Sequence, residues 1–231
     1  MVDQIGPNDW SRLEGMLDEE ELARAGRFRF ERDRHSYVAA HALARTMLSA
    51  HAPCPPWAWR FSTGAHDKPE IIRAPGSPPL RFNLSHTRGL VAAAVTIDND
   101  VGIDVEVVDP TRLTMDLAAR YFAPSEMNQL RRIPIDQRPE AMFAFWTLKE
   151  AYMKADGRGM SLSLDTFFYE LEPLSIRFSP LLEDDPACWL LRHFNPTSDH
   201  ALAFALRHPA PQTVAVRAEA MDPLHLGNRR P

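Results

Sequence analysis

Between residues 101 and 108, Val101, Ile103, Val105 and Val107 alternate with Gly102, Asp104 and Glu106. This is the period-two pattern of a strand with one apolar face and one face that carries two acids. The same alternation or short apolar runs predict strands in WAWRF, in a piece around KPEI, in LRFNLSH and in GLVAAAVTI. Asp98, Asn99 and Asp100 separate GLVAAAVTI from VGIDVEVV, and these two segments read as a hairpin. In HSYVAAHALARTML the apolar positions instead recur at three- and four-residue steps, through Tyr37, Val38, Ala42, Ala44 and Leu48. That segment reads as a helix, ended by the proline-rich APCPPW.

TMDLAARYF and PSEMNQLRR predict two short helices, the second with Pro124 suited to a first helical position. A longer helix follows from Ala141 to about Asp156 and is closed by Gly157 and Gly159. TFFYEL, LSIRF, ACWLLRHF and HALAFAL are four further strand candidates. Helix-then-strands thus occurs twice. The order predicts an α+β fold of two similarly built lobes, residues 1–100 and 101–231, although no repeat is visible residue by residue. The end of the chain from His208 reads as a loosely held tail.

On the long helix, Met142, Trp146, Glu150 and Lys154 form one row, and Phe145, Leu148 and Tyr152 form another on the far side. A helix with large apolar residues on two sides is buried on two sides, which places Glu150 and Lys154 inside a cleft. The paired acids pose a related problem. Carboxylates two residues apart on a strand stand about 6.6 Å apart and, at an effective dielectric near 20, repel by about 2.5 kcal/mol. A neighbouring Lys or Arg, water or a divalent cation would relieve this. Three carboxylates (Asp104, Glu106, Glu150) with Lys154 nearby match the needs of phosphoryl transfer assisted by Mg²⁺, which takes part of its coordination from substrate phosphates. No P-loop, kinase glycine loop or dinucleotide fingerprint accompanies them.

Composition narrows the classes. The 231 residues are 45% hydrophobic and 25% charged, ordinary for a globular chain, and no apolar run is long enough to span a membrane. MVDQIGPNDW lacks the layout of an export signal, so the expected location is the cytoplasm. Cys54 and Cys188 have no metal or disulfide spacing and read as buried thiols. A net charge of −5 argues against nucleic acid as a partner. Within this acidic chain, Arg24, Arg27, Arg29, Arg32, Arg34 and Arg45 form a basic segment, either a solvated helix face or a site for a small anion.

FNLSH at 82–86, VGIDVE at 101–106 and FWTLKEAYMK at 145–154, in this order and spacing, resemble the signature of the larger, Sfp-like 4′-phosphopantetheinyl transferases. The resemblance runs from about Arg24 to Phe204. It implies a monomer of two pseudo-symmetric α+β lobes, with the active site at their interface. The implied activity is Mg²⁺-dependent transfer of phosphopantetheine from coenzyme A to a serine of an apo acyl or peptidyl carrier protein. By position, Asp104, Glu106 and Glu150 would hold the metal, Glu150 would serve as base, and Lys154 would assist the leaving group, making Asp104, Glu150 and Lys154 the catalytic set. Arg24, Lys68, Ser85, His86 and Lys154 would hold coenzyme A. The chain departs from the family pattern where Asp67 replaces the glycine of a Gly-Lys-Pro motif and where Glu21 falls on a second basic position, for which Arg27 or Arg29 would compensate. The segment from Thr114 to Arg132, apolar with a basic rim, is expected to be either a carrier-docking surface or two helices that only cover the second sheet. Two other readings stay open: a Mg²⁺ phosphohydrolase, and a non-catalytic module that binds carrier proteins.

Overall fold

The computed structural model describes residues 1–64 and 68–221. The chain divides into two compact units, Met1–Asn99 together with the described residues from Ala215, and Asp100–Val214. Among the described residues no helix is long and apolar enough to cross a membrane.

The first unit opens with α1 (Trp10–Glu14) and α2 (Glu19–Ala25), neither of which the hydrophobic periodicity announces. The start of α2 is nevertheless written in the sequence as Asp18-x-x-Glu21. Asp18 Oδ1 accepts the Glu21 N–H at 2.9 Å while Glu21 Oε2 accepts the Asp18 N–H at 3.0 Å, a reciprocal capping box. Helix α3 (Glu31–Ser49) contains the predicted periodic segment. Tyr37, Val38 and Ala42 of α3 pack with Leu13, Leu17 and Ala25, and Ala44 and Leu48 pack with Trp59, Leu80 and Phe82. A short pair, β1 (Phe61–Thr63) and β2 (Pro69–Ile71), precedes a longer one, β3 (Leu80–Thr87) and β4 (Leu90–Ile97). Most of WAWRF lies before β1, with Pro56–Ala58 in a 3-10 turn.

The second unit begins with β5 (Val101–Val107) and continues with α4 (Met115–Tyr121), α5 (Pro124–Arg132) and α6 (Arg138–Asp156). Then come the hairpin β6 (Phe167–Leu171) and β7 (Leu174–Phe178), and the strands β8 (Trp189–Thr197) and β9 (His200–Arg207). Each unit therefore carries a 19-residue helix followed by a short and a longer antiparallel pair. The sheet order in the second unit is β5-β9-β8.

This order corrects the hairpin expected between GLVAAAVTI and VGIDVEVV. β4 pairs with β3 across the two-residue turn Arg88-Gly89, where Gly89 has φ +84°, and β5 pairs with β9 from Val101↔Leu206 to Val107↔His200. The Asp98 φ of +51° gives the 98–100 stretch a turn's local chemistry, but strand pairing follows the partner that buries each face. Both faces of β5 are buried. Gly102, Asp104 and Glu106 share their face with Ala205, Ala203 and Ala201 of β9, and α6 packs on this row of small residues. The two cysteines are free and only half-buried, a second correction.

Candidate active site

Helix α6 lies unusually near β5. A Cβ on Gly102 would stand 2.0 Å from the Ala151 carbonyl oxygen and 2.5 Å from the Ala155 amide nitrogen, so only glycine allows this approach. The contact brings the acid-bearing face of β5 to the turn of α6 that carries Glu150 and Lys154. Lys154 Nζ donates to Asp104 Oδ1 at 2.7 Å and to the Ile103 carbonyl at 3.2 Å. Asp104 is 4% exposed. Glu106 is half-buried and lies 3.8 Å from Arg112. The helix closes one turn later at Gly157, whose φ of +87° is reached without strain by glycine.

Of the two rows expected on α6, Phe145, Leu148 and Tyr152 are fully buried. Trp146, Glu150 and Lys154 form the half-open side. The Glu150 carboxyl is pushed up to about 7 by its burial and by the negative charges of Asp104 and Glu106, against the pull of Lys154. A carboxyl held there is half ionised at neutral pH and suited to accept a proton. Among the described residues no three His, Cys, Asp or Glu side chains form a ready-made metal cage. The donor chemistry nevertheless fits Mg²⁺, which is commonly held by one or two carboxylates plus substrate phosphates and is favoured by hard oxygen ligands under mutual repulsion.

In the first unit, the basic segment resolves into distinct uses. Arg45 is fully buried and donates to Glu21, Asp18 and two backbone carbonyls, and Arg34 pairs with Glu14. Glu21, where a basic residue was expected, also accepts from His41 Nδ1 at 2.7 Å. Burial alone would raise its carboxyl, but His41 and Arg45 hold it below the ordinary value. Arg24 is exposed at the end of α2, with its guanidinium carbon 5.8 Å from the centre of the Tyr37 ring. His86 meets the same ring edge-on, with centroids 6.5 Å apart. Arg24 and His86 are thus joined through Tyr37, a residue that the motif reading passed over. Ser85, adjacent to His86 on β3, points to the opposite face and is buried. Lys68 stands just before β2, its carbonyl accepting the Gly64 N–H at 2.8 Å, and Asp67 lies outside the described residues.

Comparison with known proteins assigns this architecture. A family model described as the 4′-phosphopantetheinyl transferase superfamily matches residues 100–205, and one described as 4′-phosphopantetheinyl transferase, N-terminal, matches residues 5–97. The 4′-phosphopantetheinyl transferase HetI of Nostoc sp. is 33% identical over 198 residues, spanning 84% of this chain and 80% of the relative. The chain belongs to the 4′-phosphopantetheinyl transferase family. The 4′-phosphopantetheinyl transferase Sfp of Bacillus subtilis is 26% identical, with 86% of this chain and 85% of the relative covered. A solved holo-[acyl-carrier-protein] synthase from Thermotoga maritima is 22% identical over 47% of this chain and 62% of its own, with a TM-score of 0.39.

In this transferase the residue before Glu150 has a separate task. Lys149 is fully buried and donates to Glu126 at 3.0 Å and to the Leu164 and Phe167 carbonyls at 2.6 and 2.7 Å. Glu126 in turn accepts the Ala123 and Tyr169 N–H groups at 2.8 and 2.9 Å. Sequence spacing could not separate these adjacent charges. Lys149 ties α6 to α5 and β6, while Glu150 faces the acids of β5. In the expected docking segment, Phe122, Met127 and Leu130 are core, whereas Tyr121, Arg131 and Arg132 are exposed.

Proposed function

We propose that this chain transfers the 4′-phosphopantetheine group of coenzyme A to a serine hydroxyl of an apo carrier protein in a Mg²⁺-dependent reaction and releases adenosine 3′,5′-bisphosphate. The observation that carries this reading is the Asp104–Lys154 bond, made beside Glu150 where Gly102 lets α6 approach β5. The serine oxygen attacks the phosphorus of the pantetheine phosphate. A new P–O bond forms there, the P–O bond to the bisphosphate breaks, and the serine proton passes to Glu150. The Lys154 ammonium stabilises charge on the departing phosphate, where a cation contributes most because charge builds up in the transition state. Asp104, Glu106 and Glu150 would hold Mg²⁺, which when bound neutralises pyrophosphate oxygens. Arg24, Lys68 and His86 are assigned to the phosphates of coenzyme A; Ser85, which the family resemblance adds to them, is buried on the other face of β3.

The test is intact-mass measurement of several purified apo carriers after incubation with this protein, coenzyme A and Mg²⁺, with and without chelator. A gain of one phosphopantetheine, lost with chelator, supports the assignment. Carrier binding with no mass gain would make the chain a binding module, and release of phosphate without carrier modification would make it a hydrolase.

A further inference from the structure

Tyr37 occupies a position that the phosphate-binding assignments above do not explain. It is 5% exposed, yet its ring meets side chains from three elements: Arg24 of α2, His41 of its own helix and His86 of β3. The His41 ring lies 4.1 Å from it, centre to centre, with the planes 33° apart. His41 is held in turn by Glu21, which the buried Arg45 anchors at 2.8 Å. Glu21 stands one turn before Arg24 on the same helix. The acid that replaces the second expected cation is therefore turned inward, where it braces the ring that Arg24 faces.

An exposed arginine at a helix end must be ordered before it can grip a phosphate, and ordering a long side chain costs binding energy. A ring face attracts a guanidinium and restricts where it can go. We propose that Tyr37 is the positioning residue for the 3′-phosphate of coenzyme A, fixing Arg24 and His86 as one recognition unit in place of a second cation. This rests on the transferase reading above.

The experiment measures KM for coenzyme A and for 3′-dephospho-coenzyme A at saturating apo carrier. Tyr37→Leu should raise KM for coenzyme A by roughly five- to tenfold, the scale of one lost cation–π contact and one lost aromatic contact, while the dephospho donor changes by less than about twofold. Tyr37→Phe, which keeps the ring, should recover most of the lost preference. Equal losses for the two donors in Tyr37→Leu would overturn the proposal. Should that variant fail to fold, a cycle of Arg24→Ala and His86→Ala, both at exposed positions, decides. Non-additive losses of donor preference support one unit held through Tyr37, and additive losses overturn it. A parent protein that transfers and prefers coenzyme A, with that preference intact in Tyr37→Leu, refutes this inference alone. A parent with no transfer removes the function reading and this inference with it.

Discussion

Gly102→Ala tests the contact on which the site depends. In an ordinary strand this change is mildly favourable, because alanine gives up less backbone freedom than glycine, by about 0.5–1 kcal/mol. Here the added methyl would sit 2.0 Å from the Ala151 carbonyl oxygen, 2.5 Å from the Ala155 nitrogen and 3.0 Å from the Ala151 carbonyl carbon, all backbone atoms that cannot rotate away. To restore ordinary van der Waals separation, α6 must withdraw from β5 by about 1.4 Å. Overpacking of this kind costs about 1–3 kcal/mol, which outweighs the intrinsic gain and reverses the sign. The withdrawal also carries Lys154 and Glu150 away from Asp104, beyond the 2.7 Å bond that now joins the first to the third. A misplacement of about 1 Å in a positioned site is worth on the order of a hundredfold in rate. Urea unfolding and carrier mass gain against time measure the two effects. A folded Gly102→Ala protein as stable as the parent, and transferring at the parent rate, would refute the argument that helix–strand proximity builds the site.

Lys154→Ala should lower kcat far more than it weakens coenzyme A binding by calorimetry, since its charge matters most as the leaving phosphate forms, whereas Glu150→Gln should weaken both metal dependence and rate. Equal losses of affinity and kcat/KM in Lys154→Ala would make it a ground-state binding residue. Lys149→Met leaves the Glu126 carboxylate buried without its cation and should cost about 3–5 kcal/mol in chemical denaturation, with Lys149→Met/Glu126→Gln recovering a large part; equal stability of the two variants would contradict the pairing role. Charge reversal at the exposed Arg131 and Arg132 should raise KM for the carrier, reduce its salt sensitivity and spare KM for coenzyme A; an equal effect on both substrates would return α5 to a structural role.

Local periodicity decided most elements of this chain, though not α1 and α2. The alternation through Val101 and Val107 is a strand, the rows on α6 are buried as their spacing requires, and the order of helices and strands is that of a two-unit α+β protein. These features depend on neighbours within a few residues, so the sequence carries them directly. The candidate chemistry was legible for the same reason: Asp104 and Glu106 share a strand face, and Glu150 and Lys154 share a helix row. Pairing was a matter for the tertiary structure. β5 lies beside β9, a hundred residues on, because the row of Ala201, Ala203 and Ala205 completes the smooth surface that α6 needs, and no local signal at Asp98–Asp100 encodes that choice. The division of labour between Lys149 and Glu150 also came from packing, since adjacent residues on a helix point some 100° apart and only their surroundings separate a buried brace from a half-open carboxyl beside the acids of β5. Glu21 was misfit as a phosphate ligand until the fold placed Arg45 and His41 against it, and Tyr37 gained its place only where α2, α3 and β3 meet. Burial and long-range contact set what these charges and rings do, and those quantities exist only once the chain has folded.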